Sequence, residues 1–187
     1  KNKKLFPQKY SLTFLFNSNT IIYLRVTMKN LSVNISISPD LYSKNPESSD
    51  LGKKIVCRSI EMITDLGFEA FTFKKLGVSI GSNESSIYRY FESKHKFLLY
   101  LSSWYWAWLE YQLVIETFSI SAPSAKLEKA IQVVTKTIAI DSDFSHINEA
   151  ILYKIIVNES SKSFLTKQVD AENRDGYFEI FKRLITR

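Results

Sequence analysis

The stretch GSNESSIYRYFESK, residues 81–94, decides the fold of this 187-residue chain. Gly81 can adopt the positive φ of a tight turn after a helix, and Asn83 and Ser93 can each cap the N-terminus of a helix. The two caps leave room for only about two turns of helix, too short to be stable alone. We therefore predict a short helix over residues 84–91 that its neighbours hold in place.

The side chains of this short helix divide into an inner and an outer set. Ile87 and Phe91 are the apolar residues that can anchor it to a core. The side chains that then point outward are Glu84, Ser85, Tyr88 and Arg89. The pattern therefore predicts a small anchored helix with a polar outer surface.

Two helices are predicted before this stretch and one long helix after it. Apolar residues at helical spacing run from Leu51 to Leu66, where Gly67 stops them, and again over residues 73–80 behind Thr72, a plausible N-cap. A long helix is predicted over residues 94–117. Short helices joined by a turn at residues 81–83 have the spacing of a helix-turn-helix.

In the rest of the chain, the sequence predicts further helices after residue 117 and an N-terminal arm without regular structure. Helical patterns cover residues 125–140, 144–157 and 170–187, and no strand alternation interrupts them, so we predict an all-α chain. We predict that residues 1–49 form a poorly structured arm, which ends in a polar linker over residues 39–50. Since Met28 begins a more ordinary protein start, we expect residues 1–27 to be translated upstream sequence.

Composition and charge narrow the class of protein. An apolar content of 45% suffices for a buried core, and the single Cys57 fits a reducing compartment. The net charge of +6 combines an excess of seven basic side chains in residues 1–100 with an excess of one acidic side chain in the remainder. A basic front half suggests a polyanion partner, although solubility alone would explain it equally well.

Neither secretion nor membrane insertion is expected, so we predict a cytoplasmic protein. The apolar stretch near the N-terminus is broken by Asn17 and Asn19 and lacks a cleavage site, which argues against a signal peptide. The apolar run from Phe97 to Ile120 contains Glu110 and further polar residues, which are costly at bilayer depth.

The motif resembles the N-terminal signature of the TetR/AcrR family of bacterial transcriptional regulators. The resemblance is carried, without a gap, by residues 67–77, Gly81, residues 86–91, Ser93-Lys94 and Leu98. It implies a three-helix DNA-binding head at residues 50–96 and a helical ligand-sensing and dimerisation domain at residues 97–187. Since the chain ends in a helical pattern, we expect that second domain to be incomplete at its C-terminus.

The resemblance also implies roles for single residues. Thr72 matches a capping threonine that touches phosphate, Ser86 and Tyr88 match contacts to DNA backbone or base edges, and Lys94 matches a lysine that meets a phosphate. The positions that choose the operator are Glu84, Ser85, Arg89 and Tyr90. Independently, the guanidinium of an arginine can bind O6 and N7 of guanine as a fork, whereas Glu84 suits helix capping better than cytosine readout.

The aromatic run in the long helix has two interpretations. Trp104, Trp108 and Tyr111 share one helix face, and the favoured interpretation is that they fill a core. The resemblance to ligand-sensing regulators implies the other, in which these three rings line an apolar pocket for a small-molecule effector.

These features favour a ligand-responsive repressor that binds a palindromic operator in double-stranded DNA as a homodimer, with an unknown effector. The alternative is a helical protein-interaction or dimerisation module in which Tyr88, Tyr90 and Trp104 form an adhesive face. We expect no enzymatic activity, cofactor or metal, because the two histidines, the cysteine and the five glycines form no catalytic, ligating or phosphate-binding motif.

Overall fold

The computed structural model describes Ile35, residues 37–136 and residues 147–186, and regular structure in these residues is helical throughout. The all-α prediction is therefore confirmed. Two 3-10 helices, Pro39–Leu41 and Pro46–Ser48, precede the α-helices. The α-helices are α1 (Asp50–Leu66), α2 (Phe73–Ile80), α3 (Glu84–Tyr88), α4 (Lys94–Thr117), α5 (Pro123–Thr135), α6 (Glu149–Glu159), α7 (Ser161–Phe164), α8 (Val169–Arg174) and α9 (Glu179–Ile185).

The predicted caps all form in the front half of the chain. The side chain of Thr72 accepts a hydrogen bond from the third residue of α2 at 3.2 Å. Asn83 caps α3 through the backbone amide of Ser86 at 2.8 Å, and Ser93 caps α4 through that of Lys96 at 3.1 Å. The predicted starts of α2, α3 and α4 are confirmed.

The short helix α3 ends three residues earlier than predicted. The backbone amides of Tyr90 and Phe91 both donate to the carbonyl of Ile87, at 2.9 and 3.1 Å, and this tightens the chain into a closing turn after Tyr88. Phe91 nevertheless reaches the core, as does Ile87, and neither side chain is exposed to solvent. Both predicted anchors are therefore buried.

The first turn of α4 completes the core of the front half. The ring of Phe97 lies 4.8 Å from that of Phe91, 6.0 Å from that of Phe71 and 6.3 Å from that of Phe73, measured between centroids. Aromatic pairs at these distances stabilise a core beyond the burial of their surface. α4 thus holds α2 and the turn after α3 in a fixed arrangement.

The later helices pack along α4. Helix α6 contacts both α1 and α4, and α9 contacts α4. The buried carboxylate of Glu110 on α4 accepts a fork of hydrogen bonds from Arg183 on α9, with Nε at 2.8 Å and Nη2 at 2.5 Å. This pairing raises the pKa of Arg183. The predicted domain boundary after residue 96 falls within α4 and stays a prediction.

Residues 39–49 differ from the predicted unstructured arm. Their two 3-10 helices bury Leu41 and Pro46, and the carbonyl oxygen of Pro46 lies so close to α1 that a Cβ on Gly52 would be 2.2 Å from it. The segment therefore packs on the front half of the chain. Residues 1–34, including the predicted upstream sequence, lie outside the described residues.

The predicted helices in the rear half need correction at their ends. Helix α5 ends at Thr135 and not at residue 140, since the next residue is already extended. Helix α6 begins at Glu149, because the side chain of Asn148 caps it through the amide of Ile151 at 3.0 Å. Residues 137–146 lie outside the described part of the chain.

The helix predicted over residues 170–187 is two helices, α8 and α9. Gly176 lies between them with a φ of 83°, a left-handed value that interrupts a right-handed helix. Among the helices that the structure describes, none is both long enough and apolar enough to cross a membrane.

We predict that Gly77→Ala destabilises the protein. A Cβ at this position of α2 would lie 2.8 Å from the backbone oxygen of Ser82 in the following turn, so backbone would have to shift. We expect a loss of about 1–3 kcal/mol in the free energy of unfolding, measured by denaturant titration. The control is Val78→Ala on the exposed face of α2; equal stability of the two variants would contradict this packing.

Candidate nucleic-acid interface

The turn between α2 and α3 is built by two glycines with different tasks. Gly81 adopts the left-handed conformation with φ 69° and ψ 35°, which ends α2. The amide of Ser82 donates to the carbonyl of Gly77 at 2.9 Å, and the missing side chain of Gly77 permits this approach. The sequence predicted the turn at Gly81 but missed the need for Gly77. These contacts set the path of the chain from α2 into α3.

The N-terminus of α3 is organised by a single side chain. The oxygen of Asn83 accepts from the backbone amide of Ser86, from its hydroxyl at 2.6 Å and from the hydroxyl of Ser85 at 2.9 Å. Both serine hydroxyls therefore point their hydrogens at the cap and keep their oxygen lone pairs available to accept. Glu84 is half-buried in the first turn of α3, where a carboxylate suits the helix dipole.

Tyr88 and Arg89 are the outward side chains at the end of α3. The Tyr88 ring meets the ring of Phe73 edge-on, with 5.2 Å between centroids, while 48% of the residue stays exposed. The guanidinium of Arg89 is exposed and makes no hydrogen bond or ion pair with any residue that the structure describes. One side chain is thus held in position, and the other keeps its donors available.

Further polar and basic residues lie on α1 and α2, the helices that precede α3. Thr72 is exposed at the N-terminus of α2, as predicted for a phosphate contact. The sequence reasoning missed Lys54 and Arg58 on α1, whose side chains reach α2: Lys54 donates to the carbonyl of Ile80 at 2.9 Å and Arg58 to the hydroxyl of Ser79 at 2.6 Å. Both residues lie on the face of α1 opposite its apolar stripe, and this pattern could have predicted that they are on the surface.

Tyr90 does not fit the predicted role in choosing an operator. Only 4% of it is exposed, and its hydroxyl is hydrogen-bonded to that of Ser49 at 2.8 Å. That hydrogen bond and the nearby Lys44, 5.0 Å from the ring centroid, lower the pKa of Tyr90. The residue instead lies inside the protein, where it joins the segment before α1 to the turn after α3.

Lys94 is held within the protein, and its predicted contact with a phosphate stays a prediction. Its ammonium donates to three backbone carbonyls in the loop between α1 and α2: those of Phe68 at 2.8 Å and of Glu69 and Phe71 at 3.3 Å each. The same nitrogen lies 4.5 Å from the centroid of the Phe68 ring. All three of its donors are used within the protein, so its position supports a structural role.

The aromatic residues predicted for an effector pocket lie in two environments. Trp104 is buried in the core, whereas Trp108 and Tyr111 are half-buried. A cavity of about 190 Å³ beside α4 is lined by Trp106 and not by these three. Their role in ligand binding stays a prediction. Among the described residues, no group of three histidine, cysteine or acidic side chains could hold a metal.

The arrangement of α1 to α4 is that of a helix-turn-helix DNA-binding domain, in which a capped helix after a tight turn presents its outer side chains to a groove. Residues 55–101 match the family model described as "Bacterial regulatory proteins, tetR family". The family resemblance is therefore confirmed: this segment is a tetR-type DNA-binding domain, and the chain is a transcriptional regulator. Searches of curated proteins and of solved structures found no match.

We predict that Arg89→Ala lowers the affinity for the duplex that the protein binds most tightly by about 1–3 kcal/mol and relaxes base preference, because a fork to guanine is lost. Binding titrations on that duplex and on its single-base variants measure both effects. The control is Arg174→Ala, which removes the same charge from the exposed end of α8. Equal losses on every duplex would contradict a role for Arg89 in base readout.

We predict that Lys94→Met lowers the free energy of unfolding by about 1–3 kcal/mol, since three carbonyls lose a charged donor. It should weaken binding to all DNA alike without changing the salt dependence of affinity. Thermal unfolding and titrations at several salt concentrations test this against Lys53→Met, an exposed lysine on α1. A slope flattened by about one unit would instead place Lys94 on a phosphate.

Proposed function

We propose that this protein is a ligand-responsive repressor that binds a palindromic operator as a homodimer. The observation that carries the proposal is the pair of outward side chains on α3, Tyr88 held against Phe73 and Arg89 with its donors available. A side chain held in place, as Tyr88 is, loses little entropy on binding, and an exposed arginine can donate to a guanine in the major groove.

The DNA contacts follow from the position of each group. Arg89 reads a guanine, and Ser85 accepts from a base edge while its own hydrogen stays with Asn83. Thr72, Ser86 and Tyr88 lie near the starts and outer face of α2 and α3, where they contact the phosphate backbone and fix the register. Glu84 serves as a helix-dipole partner.

The alternative, an adhesive protein-interaction face made by Tyr88, Tyr90 and Trp104, is less well supported. Tyr90 and Trp104 are each only 4% exposed, so two of its three members are inside the protein. Tyr88 alone offers too little apolar surface for a stable interface. DNA binding therefore accounts better for the exposed groups on α3.

A homodimer is supported by the surface of the rear half, and it is the form that a palindromic operator requires. A palindromic site repeats its half-site with two-fold symmetry, so two copies of the reading helix are needed to grip both halves. Helix α5 has no buried residue and leaves Leu127, Ile131 and Val134 exposed at helical spacing. An apolar stripe of this kind suits burial against the same stripe of a second copy.

Repression and ligand response rest on contacts between the front and rear helices. Lys162 on α7 pairs with Glu69 in the loop after α1 at 2.6 Å, and this contact lowers the pKa of the Glu69 carboxyl. Lys96 at the start of α4 donates to the hydroxyl of Tyr177 in the rear half. A ligand that moves the rear helices would thereby move the reading head, which consists of α1 to α3 and the first turn of α4, and release the operator. Such a protein acts in the cytoplasm, where bacterial DNA lies.

We predict that sedimentation of the full chain shows a dimer that shifts as one species with the DNA flanking its own gene. Ile131→Glu should yield a monomer that binds the same DNA at least tenfold more weakly, because the charge prevents burial of the α5 stripe.

The matched control is Gln132→Glu, which adds the same charge at an exposed position one residue further along α5. A wild-type monomer that leaves the DNA unshifted would contradict the proposed function. A dimer unaffected by Ile131→Glu would place the dimer contact elsewhere.

A further inference from the structure

The segment before α1 lies against the end of α3. The backbone amide of Ser43 donates to the carbonyl of Tyr90 at 2.8 Å, and the hydroxyl of Ser49 is hydrogen-bonded to that of Tyr90 at 2.8 Å. Tyr90 directly follows Arg89, the residue proposed to read a guanine. Residues 43–49 are therefore attached at both ends to the residue beside that arginine.

Contacts on either side of Lys44 hold this segment on the protein. Before it, the ring of Tyr42 meets that of Tyr100 edge-on, with 6.2 Å between centroids. After it, Asn45 caps the second 3-10 helix through the backbone amide of Glu47 at 2.9 Å. The backbone that carries the lysine is therefore positioned by the fold, and ordering it costs nothing further on binding.

Lys44 is the cation that the segment places beside α3. It is exposed, and its ammonium lies 5.0 Å from the centroid of the Tyr90 ring. The pKa of that tyrosine is lowered by its hydrogen bond to Ser49 and also by the charges of Lys44 and Arg89, so both cations lie near one hydroxyl group. Among the residues that the structure describes, no acidic side chain forms an ion pair with Lys44.

An ammonium held over an aromatic ring suits a contact with phosphate. The ring attracts the cation and restricts its position, while the exposed side of the ammonium keeps donors in solvent. A lysine is a compact point charge, which matches a phosphate oxygen better than the patterned edge of a base. Since the phosphates of each strand border the groove that a recognition helix enters, a cation beside the end of α3 lies where a strand passes.

We propose that Lys44 contacts a backbone phosphate at the edge of the half-site, next to the guanine that Arg89 reads. This contact rests on the proposed function, because it requires α3 to enter a groove of DNA. It extends the DNA interface to a segment outside residues 55–101, the part of the chain that matches the tetR family model.

The experiment compares the DNA affinity of the full-length wild-type chain and of Lys44→Gln at several salt concentrations. One phosphate contact contributes about 0.9 to the slope of log affinity against log salt concentration. We expect Lys44→Gln to flatten the slope by about this amount and to weaken binding about tenfold at low salt, equally on every duplex. Lys44→Arg should keep the slope, because it keeps the charge. The control Lys167→Gln removes the same charge from an exposed position between α7 and α8 and should change neither quantity.

A second measurement locates the phosphate. The duplex that the wild-type protein binds most tightly is prepared with a single uncharged methylphosphonate at successive positions along the half-site. One such change at the edge of the half-site should weaken the wild-type protein about tenfold and leave the affinity of Lys44→Gln unaltered. Loss of both partners should therefore cost no more than loss of either, which is the result expected of a direct contact.

A purely structural role for Lys44 gives a different result. Lys44→Gln would then lower the unfolding temperature, weaken all DNA with an unchanged salt slope, and respond to every methylphosphonate as the wild-type protein does. That result would overturn the proposal. A loss of affinity confined to certain base sequences would overturn it too, because it indicates a contact with a base.

The proposed function and this contact fail in different ways. A wild-type protein that binds no duplex contradicts the proposed function and, with it, the contact. A wild-type protein that binds DNA with a base preference set by Arg89, while Lys44→Gln keeps the full salt slope, contradicts the contact alone.

Discussion

The contact between the rings of Phe91 and Phe97, 4.8 Å apart, is the interaction on which the reading head depends. Helix α3 has five residues and cannot persist in water by itself. Ile87 secures one side of it, and Phe91 attaches the following turn to the first turn of α4. The position of α3 therefore depends on α4, so a change at the start of α4 would move the outward side chains of α3.

Helix α4 joins this reading head to the rest of the molecule. Its first turn supports the turn after α3, its middle lines the cavity beside Trp106, and Glu110 near its end binds Arg183 of α9. Tyr177 contacts the first turn and the cavity at once. A change in the rear helices can therefore reach the DNA-binding helices through α4 alone, since α4 packs against the turn after α3, lines the cavity and binds the last helix.

Local signals explain what could be predicted from the sequence. Thr72, Asn83 and Ser93 were identified as caps because a cap acts on amides within three residues. The contacts of Tyr90 and Lys94 within the protein were not predicted, because their partners lie 41 and 26 residues away in sequence. Contacts between residues so far apart in sequence leave no pattern in the residues around either partner. The cavity was missed for the same reason: its wall combines residues from helices far apart in the chain.

The proposed reading of a DNA sequence by α3 can be tested by selection from a random pool of duplexes. The full chain is incubated with the pool, the bound duplexes are recovered and amplified over several rounds, and the final pool is sequenced. We expect enrichment of an inverted repeat whose half-sites each contain a guanine, with centres about one helical turn apart or a multiple of it. A final pool with no preferred sequence would show that α3 does not read a DNA sequence.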